Sequence, residues 1–366
     1  MAPIESHEDI RRRVPRAMRV GDPRQIDPRL GGPAPDPVIA GIVRRRVPAL
    51  LATLCVASIA SASWIWLHPP DPIADLRAHA GRLVSLRRTP AAALGARVER
   101  WRMVASNGDT AVGLWRAARA RPEQAAAASP GRAPASARAW AVVILGGIGT
   151  DDRALLLVPD SLPVNVLAVA WPWDGPRRMG WLEFIARVPI MRRALLRTPG
   201  TIALGVEAVR RECPACRVAL LGASLGAPPT AVALSLERAD AIVLVDGGAD
   251  LDRLLRAEVS HAARGGIVGA IVGAAAGVLG ARLLSSLEPA RHLASARELP
   301  ALLVDAEREE RVPQACVERL RETFPQADRA THVGGHVRAE NAQQIASLVE
   351  IVWGWLAALR DRENGS

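Results

Sequence analysis

The sequence predicts an α/β fold, with a mostly parallel sheet covered by helices on both faces. Three observations carry that prediction. From residue 140 onward, short and nearly uninterrupted apolar runs alternate with helical stretches, the pattern of strands buried on both faces by crossover helices. Before them stands a hairpin signal, Asn107-Gly108 between alternating apolar runs. Hydrophobic residues make up 49% and charged residues 23% of the 366 positions, enough for a large core and too balanced for a wholly disordered chain.

The formal charge of +10 rests on 47 basic residues, all of them Arg, in a chain with no Tyr, 2 Phe and 10 Trp. Ala, Arg, Gly and Pro dominate throughout, and this bias weakens the usual link between positive charge and nucleic acid. Neither the stacking aromatics of an RNA-binding sheet nor zinc-finger spacing is present, so no nucleic-acid partner is expected. Four cysteines exclude a disulfide-dense scaffold.

Residues 1–46 read as a disordered basic arm, in which Pro and Gly cluster at Gly21-Asp22-Pro23 and at 31–35. Residues 47–67 follow, 21 positions without a charge. A helix of that length reaches about 30 Å, the thickness of a bilayer's hydrocarbon core. Arg44-Arg45-Arg46 precede it and Trp64 and Trp66 lie near its far end, as in a membrane anchor with a cytoplasmic N-terminus and the main domain outside. Ala60-Ser61-Ala62 leaves open a cleaved signal peptide and a secreted domain. Residues 68–93 read as a linker that is helical from 72.

The main domain is expected over 94–366. Val98–Val104 and Thr110–Ala117 form the hairpin around the Asn-Gly turn, and 118–138 is an Ala/Pro/Arg loop. Six apolar runs follow as strands: Trp140–Leu145, Val164–Ala170, Arg217–Leu221, Ala241–Val245, Pro300–Val304 and Arg329–Val333. The sheet then has about eight strands, with a helical insertion at 249–299 between the sixth and seventh. A closing helix near Ala339–Arg362 would cover it.

Gly222-Ala223-Ser224-Leu225-Gly226 stands between a strand and a helical stretch. Small residues on both sides of the Ser permit a sharp turn that lifts its hydroxyl clear, and the following helix N-terminus favours developing negative charge. Such a nucleophile needs a base, and the base needs an orienting acid. His7 and His68 lie outside the domain, His261 and His292 lie in the insertion, and His332 lies within the last strand. His336 follows that strand in Gly334-Gly335-His336-Val337, where two glycines let a loop fold back over the sheet edge. Glu309, Asp305 and Asp246 are the acid candidates.

Together these parts resemble the α/β-hydrolase family over roughly residues 95–362. The order Ser, acid, His matches, and the acid-x-x-Val-Pro loop after a strand puts Glu309 in the acid slot, with Asp246 as the alternative. Gly-Gly-His336 is similar to the family's histidine loop. Leu145-Gly146-Gly147 stands where the family keeps its oxyanion loop, so the resemblance assigns the oxyanion donors to the N–H groups of Gly147 and Leu225. Leu145 replaces the His often found there, and Glu replaces the commoner Asp. The resemblance implies a serine hydrolase acting on carboxylic esters through an acyl-enzyme, with no cofactor and no metal. It also places a cap at 249–299. A peptidase or acyltransferase on the same triad, or a non-catalytic membrane interaction module, are the alternatives.

Two features stand apart. Cys213-Pro214-Ala215-Cys216 fits a redox pair, half a zinc site, a small disulfide loop or two free thiols. The stretch 265–281 is uncharged, with Gly265, Gly269, Gly273 and Gly277 every fourth residue. Ser224 precedes it while Glu309 and His336 follow it, so a membrane crossing here would divide the site. A cap helix is expected instead, suited to a lipophilic acyl substrate, with the membrane met through 47–67.

Overall fold

The computed structural model describes residues 71–119, 139–147, 149–176, 181–262, 266–294 and 296–364, together with Ser63. The basic arm, the uncharged segment 47–67 apart from Ser63, and loop residues 120–138 lie outside the described residues. Ala62–Ser366 forms one compact unit.

In chain order the elements are α1 (Pro72–Ala78), β1 (Leu83–Pro90), β2 (Val98–Ala105), β3 (Thr110–Arg116), β4 (Trp140–Leu145) and β5 (Asn165–Val169). Next come α2 (Trp181–Glu212), β6 (Arg217–Ala223), α3 (Ala227–Ala233), β7 (Ala241–Val245), α4 (Leu251–Ala262), α5 (Gly266–Leu283) and α6 (Pro289–Leu293). The chain closes with β8 (Ala301–Arg308), α7 (Gln314–Thr323), β9 (Asp328–Gly335) and α8 (Ala342–Asn364). One sheet takes nine strands in the order β1-β2-β3-β5-β4-β6-β7-β8-β9. The β1–β2, β2–β3 and β3–β5 pairings are antiparallel, and every pairing from β5 to β9 is parallel.

Why the parallel strands read as continuous apolar runs is visible in β4. Ala141, Val143 and Leu145 enter the core on one face with α2 and α3. Trp140, Val142 and Ile144 enter the core on the other, with Leu348, Val352, Leu356 and Leu359 of α8. Both faces are dry, so alternation disappears. The hairpin turn forms as its sequence demands: Gly108 has φ 84, and the Asn107 carboxamide oxygen accepts the Asp109 N–H at 3.0 Å.

Two expectations need correction. The sheet has nine strands rather than about eight, because residues 68–93 are more than a linker: β1 follows α1 there. Only Leu83 of β1 is buried, and Arg87, Arg88 and Pro90 face solvent. An edge strand protected by charge and Pro has no two-residue apolar period to read.

Among the described residues one helix, Ala342–Arg362, is long and apolar enough to cross a membrane. Its buried side chains belong to the sheet core, and the Trp140 indole N–H bonds the Leu356 carbonyl at 2.9 Å. Residues 249–299 hold α4, α5 and α6. The glycine spacing of α5 is used against α4: a Cβ at Gly273 would stand 2.9 Å from the Arg256 carbonyl oxygen, and one at Gly277 2.8 Å from that of Asp252.

Candidate active site

Ser224 stands at the turn between β6 and α3 with φ 54, a left-handed backbone that non-glycine residues seldom adopt. Its two flanking glycines are required by contact. A Cβ at Gly222 would sit 2.6 Å from the Thr230 hydroxyl and 2.7 Å from the Gly226 carbonyl oxygen. One at Gly226 would sit 2.3 Å from the carbonyl oxygen of Leu145. The turn is therefore tight against its own helix and against the loop that leaves β4.

The Ser224 hydroxyl lies 2.6 Å from Nε2 of His336. Nδ1 of His336 lies 3.1 and 3.0 Å from the two carboxylate oxygens of Glu309. A carboxylate on Nδ1 fixes the proton there and leaves Nε2 as an acceptor for the hydroxyl. Ser224 is half-buried, whereas the His336 side chain is only 3% exposed. The His loop is braced from α8: buried Gln344 donates to the Gly335 carbonyl at 2.7 Å and accepts the Arg338 N–H at 3.2 Å. Gly334, with φ 88, makes the turn into that loop.

Glu309 leaves the end of β8 and also accepts the backbone N–H groups of Arg311 at 2.7 Å and Val312 at 2.9 Å. Burial alone would raise its pKa. The bonds from His336, Val312 and Arg311 outweigh that and hold it down at about 2.

Asp246 ends β7 with φ 47 and is buried. Its carboxylate comes within 3.9 Å of His336 Nδ1, beyond hydrogen-bond reach. It accepts the Val337 N–H at 2.6 Å and meets Nε2 of His332 at 3.0 Å through both oxygens. Asp305 is turned elsewhere and pairs with Arg321 at 2.6 Å. From the sequence His332 reads only as a strand residue, and its partner is not visible there. The one available signal was an acid at the end of β7 and a His inside β9, a single strand away.

The remaining histidines among the described side chains lie apart from this cluster. His79 caps α1 through the Asp75 carbonyl, and His292 bonds Ser235 and the Ser286 carbonyl.

Gly147 follows β4 in the loop that Gly226 touches. Its carbonyl accepts the Thr150 N–H at 2.8 Å, and the Gly146 carbonyl accepts the Trp171 indole N–H at 2.9 Å. With those carbonyls engaged in the loop, the Gly147 side toward solvent is open: nothing lies within 4 Å of where its Cβ would be. Leu225, the residue after the Ser, opens the helical turn with its side chain 48% exposed.

Among the described residues, one donor set fits a cation by spacing. Atoms of Asp246, Glu309 and His336 lie within 4.8 Å of one another. The His336 nitrogen in that set faces the Glu309 carboxylate, and the Asp246 oxygens already accept His332 and Val337. A cation would have to displace the proton that orders the Ser–His–Glu chain.

Cys213 and Cys216 form a disulfide that closes the turn between α2 and β6. Cys316 is free and buried, and burial together with nearby Asp250 raises its thiol to about 11.

No family model matches the chain, and no curated protein matches it in sequence. Solved structures do. A puromycin-hydrolysing peptidase of Mycobacterium tuberculosis is 18% identical over 74% of this chain and 41% of its own, with a TM-score of 0.50. The similarity is one of fold. This chain has an α/β fold with a large, mostly parallel sheet matching that of hydrolases. Esterases share the likeness at lower scores. An esterase of Pyrococcus furiosus is 16% identical over 76% of this chain and 96% of its own, with a TM-score of 0.47. Acetyl xylan esterase 1 of Thermoanaerobacterium is 13% identical over 78% and 94%, with a TM-score of 0.49.

Proposed function

We propose that the chain is a serine hydrolase that cleaves carboxylic esters through an acyl-enzyme. The observation that carries this reading is the 2.6 Å approach of the Ser224 hydroxyl to His336 Nε2, with Glu309 on the opposite nitrogen. Nε2 takes the hydroxyl proton as Oγ attacks the substrate carbonyl. Charge that develops on the carbonyl oxygen falls to the N–H groups of Gly147 and Leu225, an arrangement whose loss of a single donor typically costs about 10²–10³ in rate. His336 then gives its proton to the leaving alcohol. Water, activated by the same nitrogen, releases the acyl group and frees Ser224.

The same reading places the domain on the extracytoplasmic side, held by residues 47–67. Its supports are the uncharged length of that segment, the Arg44–Arg46 cluster before it and the Cys213–Cys216 disulfide, a bond that persists mainly in oxidising compartments.

A fluorophosphonate probe tests the chemistry, since it reacts with an activated serine. The wild-type chain should be labelled stoichiometrically, and Ser224→Ala and His336→Gln should not. A folded wild-type chain that resists the probe would instead favour a non-catalytic interaction module.

A further inference from the structure

Beside the Ser–His–Glu chain lies a second buried pair of ionisable groups. The Asp246 and His332 side chains are both 0% exposed, and they face each other behind His336. Burying a carboxylate and an imidazole is costly unless each is paired. Here each is. Nε2 of His332 meets both Asp246 oxygens at 3.0 Å, and its Nδ1 lies 3.1 Å from the Val333 carbonyl oxygen. The Val333 carbonyl accepts on one side of the ring and the Asp246 carboxyl group faces the other, so neither ring nitrogen is left without a partner. Burial alone would lower its pKa, and the bond to Asp246 and that residue's charge raise it above the ordinary value.

What this pair holds is the catalytic loop. Asp246 leaves β7 in a left-handed conformation, and its N–H bonds the Val304 carbonyl of β8 at 2.8 Å. From there its side chain reaches past β8 to the loop after β9. It grips the Val337 N–H, the peptide next to His336, at 2.6 Å. The same carboxylate oxygen stands 3.9 Å from His336 Nδ1. The backbone at Ser224 and at Asp246 is thus left-handed at two neighbouring strand ends; the first turn brings a hydroxyl to His336 Nε2 and the second a carboxylate to the Val337 N–H beside it.

We propose that Asp246 and His332 are positioning residues for His336: His332 fixes the Asp246 carboxylate, and that carboxylate fixes the chain at Val337 behind the catalytic ring. Glu309 orders the proton on Nδ1, and the buried pair orders the ring's distance from Ser224. The inference deepens the hydrolase reading and rests on it for its kinetic consequences, although its structural consequence can be read without turnover.

The test uses the full chain and a short p-nitrophenyl ester. Asp246→Ala should lower kcat about 100-fold, the scale set by a misplacement of about 1 Å, and leave KM within about twofold. His332→Leu, which strips the carboxylate of its donor, should lower kcat by about 10-fold or more. His332→Gln keeps an N–H near the Nε2 position and should recover most of that loss. A merely space-filling role would move melting temperature without separating Gln from Leu in kcat.

The second readout is the His336 Nδ1–H resonance, assigned by its disappearance in His336→Asn. It should be sharp in the wild type and lost to solvent exchange in Asp246→Ala and His332→Leu. Folded variants with wild-type kcat and an intact resonance would overturn the proposal. Should Asp246→Ala fail to fold, the Gln and Leu pair at His332 decides. An unreactive wild-type chain would refute the hydrolase reading alone, because the resonance still reports on the loop.

Discussion

Glu309 and Asp246 approach the same nitrogen of His336 from two different strand ends, and only Glu309 reaches it, at 3.0 Å against 3.9 Å. The difference follows from what else each carboxylate must satisfy. Glu309 sits in a turn whose own N–H groups, from Arg311 and Val312, bond one of its oxygens while the pair still faces His336. Asp246 is committed to His332 and to the Val337 peptide. Two acids at one base have separate tasks here.

Glu309→Gln should lower kcat by about 10²–10⁴, because a carboxamide no longer enforces a proton on Nδ1. The substitution should also change the acid limb of stability. Glu309 titrates at about 2 in the folded chain against an ordinary 4.5. Its stabilisation is therefore complete above about pH 4.5 and is lost as pH falls through 2, amounting to roughly 3 kcal/mol at most. Denaturant melts at pH 7 and pH 3 should show a smaller drop for Glu309→Gln than for the wild type. Equal drops would mean that Glu309 is not held ionised by its partners.

Gly226→Ala should be damaging out of proportion to one methyl group. The new Cβ would lie 2.3 Å from the Leu145 carbonyl oxygen, which is backbone and cannot rotate away. Overpacking of this kind costs about 1–3 kcal/mol, and it pushes on the loop that carries Gly147. Both melting temperature and kcat should fall. Gly354→Ala is the matched control: it lies exposed in α8 with nothing within 4 Å of its Cβ position, so it should stabilise by about 0.5–1 kcal/mol. A Gly226→Ala chain as active as the wild type would show that the turn at Ser224 does not need its close contact with Leu145.

How far the sequence could be read depended on what each residue touches. The parallel strands were legible because burial on both faces makes them apolar without gaps. β1 was not, since a charged edge strand has no such signature. Ser224 was legible because its neighbours must be glycine, and that constraint is local in sequence. Glu309 and His336 were legible only as candidates, since their meeting depends on two loops at adjacent strand ends. Asp246 and His332 were legible only as an acid at one strand end and a His inside another strand, because the bond between them crosses β8. A C-x-x-C spacing likewise fits bonded and free thiols alike, and only the turn before β6 decides between them.

The Cys213–Cys216 bond closes a very short loop, so it should contribute about 2 kcal/mol. Reductant should lower the melting temperature of the wild type by a few degrees and leave a Cys213→Ser/Cys216→Ser chain unmoved. A reporter joined after residue 366 should behave as exported, the side on which that bond would form. Cytoplasmic behaviour of the fusion would refute the orientation proposed for residues 47–67.

α4 and α5 pack backbone to backbone along the glycine stripe of α5. Gly277 leaves no room for a side chain: its Cβ would stand 2.6 Å from an Asp252 carboxylate oxygen and 2.8 Å from that residue's backbone oxygen. Gly273 is nearly as tight against Arg256 and Ser260. Gly277→Leu must therefore push α5 away from α4. The shift has a route to the site, because Glu258 of α4 pairs at 3.3 Å with Arg311, two residues beyond Glu309. If that route alone matters, hydrolysis of short and long p-nitrophenyl esters should fall by the same factor. If instead α5 receives the acyl chain, the long ester should suffer more, because a displaced helix removes apolar contact that the short ester never makes, worth about 0.8 kcal/mol per buried methylene. Residues Val278 and Leu279 of α5 are 40% and 37% exposed, an apolar surface available to such a chain. We therefore expect a chain-length-dependent loss, measured as the ratio of kcat/KM for octanoate and acetate esters. A ratio unchanged by Gly277→Leu would make the helix pair a packing unit and nothing more.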